Sequence, residues 1–219
     1  AEAFTWYRKA ADQGLARGQS GLGAMYAHGQ GVARDLTEAE RWHRKAAVQG
    51  STESQFQLGV MYAKGEGVPK HRAEATKWIR WAAEKGHAQA QAELGVVYAK
   101  GDGLAQDLAV GAKWVRKAAD QGLSRAQRLL GEMYAKGEGV PRDGAEAAKW
   151  FRKASDQGNY LAQTQLGNAY RDGNGVPQGH AEAVKWYRLA ADQGYAEAQY
   201  QLGVMYIKGQ GVPRNLIQA

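Results

Sequence analysis

The chain has 219 residues, no cysteine, a formal net charge of +7 and a pI near 9.5. Disulfide and thiolate chemistry are therefore excluded, and no apolar run approaches the roughly 18 residues of a membrane-spanning helix, because Arg, Lys, Asp or Gln interrupts every helix-length segment. The basic excess raises the question of nucleic acid, but it is thinly spread and no nucleic-acid partner is expected: much of it sits in Arg8-Lys9, Arg44-Lys45, Arg116-Lys117 and Arg152-Lys153, where cations oppose the negative end of a helix dipole.

From the first residues onward the chain repeats. Trp6, Trp42, Trp78, Trp114, Trp150 and Trp186 stand 36 residues apart without insertion or deletion. Nine further columns, beginning at Arg8, Ala10, Gly14, Gln19, Leu22, Gly23, Tyr26, Gly29 and Gly31, hold one residue type in all six copies. A fixed period of this length marks stacked units in which each covers its neighbour's apolar face. The period gives no boundary between domains, so 1–219 reads as a single domain. The chain opens on Ala1 with no charged leader ahead of an apolar core, which reads as a processed or trimmed product.

Each period holds two helix patterns. The first, in its second copy, runs over 36–49. Asp35 and Glu38 form a capping box at its start, Ala39, Trp42, Ala46 and Ala47 share one face, and Gly50 ends it in a left-handed conformation. Asp143 with Glu146 and Asn215 with Gln218 repeat the box. The second pattern runs over 52–64 with Gln55, Leu58, Gly59 and Tyr62 on one face. An interior helical glycine costs about 1 kcal/mol relative to alanine, so the six-fold recurrence of the Gly23 column predicts close approach of a neighbouring helix. The small pairs Ala10-Ala11, Ala46-Ala47, Ala82-Ala83, Ala118-Ala119, Ala154-Ser155 and Ala190-Ala191 are the expected partners. A Gly-x-Gly-Val turn, as at Gly65 to Val68, then reverses the chain.

The pattern Ala-x-x-Trp-Tyr-Arg-Lys-Ala-Ala-x-Gln-Gly followed by Ala-x-x-x-Leu-Gly-x-x-Tyr-x-x-Gly-x-Gly-Val-Pro resembles the SEL-like repeat (SLR) family, relatives of tetratricopeptide repeats, over essentially the whole chain. The resemblance implies an all-α, right-handed α-solenoid of antiparallel helix pairs. In that register a lone second helix at 1–14 precedes complete pairs at 15–50, 51–86, 87–122, 123–158 and 159–194, with a terminal helix and the start of the next at 195–219. A cysteine-rich secreted branch of the family staples each pair with a disulfide, which this chain cannot form; its aromatic columns must hold the pairs by packing.

Catalytic and metal chemistry find no support in the motifs. The Gly-x-Gly turns lack the continuation of a phosphate cradle, the histidines never pair at helical spacing, and the serines lack a lysine three positions on. No cofactor, metal or enzymatic role is expected. The invariant Arg8 and Gln19 columns are read as intramolecular hydrogen bonders, since a scaffold bond repeats identically and a recognition surface varies.

The resemblance implies instead a scaffold or adaptor that binds a protein or peptide, acidic or C-terminal, in a concave groove. That groove is lined by the registers of Arg17, Ser20, Ala24, Ala27 and His28. The last of these carries Lys64, Lys100 and Lys136, suited to peptide carboxylates, and the Ser20 register carries Phe56 and Tyr200. The fourth and fifth units vary most, combining Arg125, Arg128, Glu132 and Lys136 with Thr164, Asn168 and Arg171. These residues are the candidate peptide site, with Asn168 fixing the peptide backbone. A bacterial envelope enzyme acting on peptidoglycan-like or β-lactam substrates is the alternative. A nucleic-acid binder, with steep salt dependence, is the third reading. The resemblance points to the periplasm or cell envelope. The apolar ends, Phe4, Trp6 and Tyr7 at one and Leu216 and Ile217 at the other, suggest head-to-tail self-association through 1–14 and 195–219.

Overall fold

A computed structural model describes residues 2–214, and among these residues the fold is all-α, with twelve helices and no strand. They are α1 (Glu2–Asp12), α2 (Ala16–His28), α3 (Leu36–Val48), α4 (Thr52–Lys64), α5 (Arg72–Glu84), α6 (Ala88–Lys100), α7 (Leu108–Asp120), α8 (Ser124–Lys136), α9 (Gly144–Asp156), α10 (Tyr160–Asp172), α11 (His180–Ala191) and α12 (Ala196–Lys208). Odd helices carry the tryptophans and even helices the Leu-Gly-Tyr pattern. Two compact units are formed, residues 1–107 and residues 108–219.

The punctuation works as expected at most helix ends. Asp35 Oδ1 accepts from the amides of Thr37 at 2.9 Å and Glu38 at 3.0 Å, opening α3. Asp143 does the same for α9. The reciprocal half of the box does not form: Glu38 instead accepts from the Trp42 indole at 3.1 Å and from Arg41 at 3.2 Å, because the indole sits one turn away on the same face. The Asn215 and Gln218 copy lies outside the described residues. Gly50 is left-handed at φ +95°, as are Gly65 at +79° and Gly67 at +73°.

Trp42, Trp78 and Trp186 each close over the odd helix before and the even helix between. In the first unit Trp42 packs with Ala11 and Leu22, and Trp78 with Ala47, Leu58 and Tyr62. In the second, Trp186 packs against the Ala147, Ala148, Phe151 and Leu166 cluster. Trp42, Trp78 and Trp150 are buried and Trp114 and Trp186 half-buried, while Trp6 is 66% exposed.

The interior glycines do mark close approach, but not to the alanine pairs. A Cβ at Gly59 would stand 2.5 Å from Ile79 Cγ1, at Gly131 2.6 Å from the Phe151 ring and at Gly167 2.7 Å from the Tyr187 ring. The partner is therefore the variable, bulky residue that follows each tryptophan by one. Glycine makes room for whatever ring or branch the next helix presents.

The invariant polar columns are consumed by the scaffold. The glutamine column donates from Nε2 to the carbonyl eight residues earlier, Gln55 to Ala47 at 3.0 Å and Gln91 to Ala83 at 3.1 Å, with Gln19, Gln127, Gln163 and Gln199 alike. The oxygens of Gln19, Gln127 and Gln163 accept from a glutamine 30 residues on, Gln49 to Gln19 and Gln157 to Gln127 at 2.8 Å, and Gln193 to Gln163 at 2.9 Å. Arg44, Arg116, Arg152 and Arg188 each donate to the tyrosine hydroxyl 18 residues on. Arg8, Arg44 and Arg152 also lie 5.3 to 6.0 Å from the ring centre of the following tryptophan, within cation–π range.

Candidate functional site

With the invariant side chains spent on one another, the variable registers of the even helices are what remains for a ligand. The Arg17 and His28 registers are the exposed ones. The Ser20 register is not outward as expected: Phe56, Ala92 and Thr164 are buried in it, and only Tyr200, at 66%, is freely exposed.

Two expected contacts are corrected by this burial. Phe56 is 8% exposed and stacks on His87 with ring centres 4.8 Å apart. Thr164 is 4% exposed and its hydroxyl donates to the Tyr160 carbonyl at 2.9 Å. For Phe56 the next repeat, through His87, lies over a position that its own helix alone would leave in solvent.

The other candidates do not converge on one point. Arg125 and Arg128 line a cleft of about 480 Å³ with Ser124, Asn159, Tyr160 and Leu161, between the start of α8 and the start of α10. Arg128 is ion-paired with Glu132 on its own helix. Asn168 lines a second cleft, of about 310 Å³, with Arg142, Phe151, Gln165 and Asn174. Its Oδ1 accepts from the Tyr187 hydroxyl at 2.7 Å, and burial pushes that phenol up to about 12. Arg171 is held by Asp172 at 2.7 Å and donates to Gln201 at 2.9 Å. In return its guanidinium keeps the Asp172 carboxyl below the ordinary value. Lys64 and Lys136 are exposed and each lies 3.8 Å from a glutamate two residues on; Lys100 is exposed as well. Trp6 and Tyr7 on α1 and Tyr200 and Ile207 on α12 are exposed, whereas Leu216 and Ile217 lie outside the described residues.

Sequence reasoning missed a cleft in the first unit, about 420 Å³, lined by His28, His43, Glu53, Gln57, Lys64 and Glu66 among others. It occupies the same register as the Asn168 cleft: Arg34, His43, Gln57 and Glu66 stand 108 residues before Arg142, Phe151, Gln165 and Asn174. The recurrence of a polar residue at Arg34 and Gln57 three repeats later was the available signal.

His43 gives this cleft a pH dependence. The ring is 2% exposed, with Nδ1 3.2 Å from the Ser54 hydroxyl, and burial pushes its pKa from 6.5 down to about 4, with Glu53 partly opposing and His28 reinforcing the shift. Above pH 6.5 the imidazole is neutral in both folded and unfolded chains. Between 6.5 and 4 the unfolded chain binds a proton that the folded one refuses, so stability falls as pH falls, by about 3 kcal/mol in total. Urea midpoints of the wild type and of His43→Ile, the residue found in this column at Ile79, are expected to diverge by that amount at pH 7 against pH 4. Parallel curves would show the ring accepts its proton in place. A second loss begins below 4.5, because a hydrogen bond from His87 holds the Glu53 carboxyl down at about 2.

Among the described residues no group of three or more His, Asp or Glu is placed to hold a metal ion, and no helix is long and apolar enough to cross a membrane.

Comparisons with known proteins agree with this architecture. The Sel1 repeat family model matches residues 1–15, 16–51, 52–87, 88–123, 124–159, 161–195 and 196–219. Among solved structures the chain is similar to a protective antigen with an SLR fold from uropathogenic Escherichia coli, at 41% identity and TM-score 0.94, covering 98% of this chain and 46% of that one. It thus spans about half the length of that protein. It is also similar to a Sel1 repeat protein from Oxalobacter formigenes, at 30% identity and TM-score 0.85, covering 99% of this chain and 93% of that one. An immunity protein from Pseudomonas aeruginosa, 22% identical with TM-score 0.52 and covering 91% of this chain and 73% of that one, shares the fold. No curated protein matches. Sel1 repeat proteins generally mediate protein–protein interactions and their scaffolds are typically non-catalytic. With the repeat matched from one end to the other, on helix pairs tied by the same amide and guanidinium bonds, the chain belongs to the Sel1 repeat family.

Proposed function

We propose that the chain is a non-catalytic scaffold that holds an acidic segment of a protein or peptide partner against the even helices of its second unit. The observation that carries this reading is the division of labour among its cations. The invariant arginines repeat one bond to a tyrosine hydroxyl in unit after unit, whereas Arg125 and Arg128 belong to variable registers and line an open cleft beside Tyr160, which is 42% exposed. Arginine beside an exposed tyrosine is the composition found at the energetic centre of protein interfaces. Glu132, paired with Arg128, stands in for the partner's carboxylate and is displaced by it.

The test is fluorescence anisotropy with a labelled decapeptide of alternating glutamate and alanine, read against a neutral serine and alanine control. The acidic peptide is expected to bind at low salt, and Arg125→Glu with Arg128→Glu to weaken it by about a hundredfold, as loss of two charge-assisted contacts of about 1.5–3 kcal/mol each would do. Equal affinity in the double variant, or equal binding of the neutral control, refutes the reading.

A further inference from the structure

The cleft between α8, α9 and α10 differs in its lining from the same register one repeat later. Ala135 lines it, while the counterpart one repeat later is Arg171, whose guanidinium reaches Gln201 at 2.9 Å. Gly144 stands where other copies carry Leu36, Arg72, Leu108 and His180, and Ala148, like Ala112, stands where others carry Glu40, Thr76 and Val184. The remaining space, about 310 Å³, equals roughly ten water volumes.

It also holds hydrogen-bond donors that its counterparts have spent. Arg34, Gln106 and Gln178 each donate to the backbone carbonyl seven residues earlier, at 3.0, 2.8 and 2.9 Å, whereas Arg142, like Lys70 and Arg214 in the same column, makes no such bond, and it lines the cleft. Gln57 and Gln201 donate to Glu53 and Glu197 at 2.7 Å, but Leu161 replaces that glutamate one turn before Gln165 and leaves its carboxamide unused. The Asn174 side chain has no hydrogen-bond partner among the described residues, and Asn168 commits only its oxygen, to Tyr187. Ala147, Ala148, Phe151 and Ala169 form the apolar part of the lining. The nearby carboxylates are already engaged, Asp143 by the amides of α9, Glu132 by Arg128 and Asp172 by Arg171.

One cation, three amide side chains and an apolar floor in a small volume match the chemistry of a chain terminus: one negative charge, one peptide group and a small side chain. We infer that this cleft is a pocket for the free C-terminal carboxylate of a peptide ending in small residues. Arg142 receives the carboxylate, Gln165, Asn168 and Asn174 bond the last peptide group, and Phe151 with the alanines takes the methyl-sized side chains. The inference rests on the peptide-binding reading above and adds to it where the peptide ends.

The probe is N-acetyl-alanyl-alanine, titrated into the isotopically labelled full chain and followed by the backbone amide resonances of Gly144, Gly173 and Gly175, with its C-terminal amide and inorganic phosphate as comparisons. The free acid is expected to give saturable shifts at these glycines. The amide should bind at least about tenfold more weakly, since charge-assisted bonds are about twice as strong as neutral ones. Phosphate should bind more weakly than the acid, because it gains from Arg142 but not from the amides. Arg142→Gln should weaken the acid by about tenfold. Ala135→Arg, which copies Arg171 in the next repeat and so preserves the helix, should abolish its binding. Acid and amide binding alike, phosphate binding as tightly as the acid, an indifferent Ala135→Arg, or no saturable shift at these glycines each overturns the inference. If the glutamate decapeptide still depends on Arg125 and Arg128 in that event, the scaffold reading stands without it; if the dipeptide acid binds while the decapeptide does not, the failure lies with the acidic surface instead.

Discussion

Gly67→Ala is expected to lower the stability of the first unit by about 2–5 kcal/mol, whereas Gly86→Ala, in the same unit and equally left-handed, lowers it by only about 1–2 kcal/mol. Both residues sit at positive φ, +73° and +92°, so both substitutions carry the strain of an L side chain in that region. They differ in surroundings. A Cβ at Gly86 meets nothing within 4 Å, while one at Gly67 would stand 2.6 Å from the carbonyl carbon of Leu36 and 2.9 Å from its Cβ. The second glycine of the Gly-x-Gly turn is thus a backbone-to-backbone contact with the first turn of α3 as well as a reversal, and the backbone there cannot step aside as a side chain would. Urea denaturation of the two variants measures the difference. Equal midpoints would mean the turn tolerates displacement and the contact is incidental.

Trp78→Ala is expected to cost about 3–5 kcal/mol, the range for a large buried aromatic side chain. The indole is 5% exposed, wedged among Ala47, Leu58 and Tyr62, and meets the Trp81 ring edge-on at 4.9 Å. It joins three successive helices, so its loss should strip hydrogen-exchange protection from α3, α4 and α5 together. Trp6→Ala is the control: its indole is 66% exposed, and a change within about 0.5 kcal/mol is expected. If the two tryptophans cost the same, the column is conserved for a purpose other than packing.

The helices were legible almost to the residue because their ends carry unambiguous chemistry: 36–49 and 52–64 read from the pattern against Leu36–Val48 and Thr52–Lys64. Asp35 must accept amides at an N-terminus, and Gly50 and Gly65 must turn left-handed after it. The hydrogen-bonding role of the Gln19 and Arg8 columns was legible for a related reason, since an identical bond needs identical residues. The partner of the Gly23 column was not. His43, Ile79, Phe151 and Tyr187 share no type, and only their bulk matters to the glycine opposite. The ligand surface was harder still. Helical spacing gives the angle at which Phe56 leaves its own helix, but its burial is decided by His87, which the following repeat lays over it. Arg142, in a turn and outside every invariant column, gave no sign of its cleft until Arg34, Gln106 and Gln178 were seen to be bonded elsewhere.

The amide ladder has a consequence for how such a chain can change its length. Its bonds span fixed intervals, eight residues back to a carbonyl and, for Gln19, Gln127 and Gln163, 30 forward to another glutamine, with the guanidinium bond adding 18. A single inserted residue in either connection lengthens every interval that spans it and sets those donors off their acceptors, and buried amides without acceptors are costly. Gain or loss of a whole 36-residue cassette leaves every interval intact. The backbone is in this sense quantised: lineages can lengthen or shorten by entire repeats, and the absence of any drift across six copies is the record of that restriction.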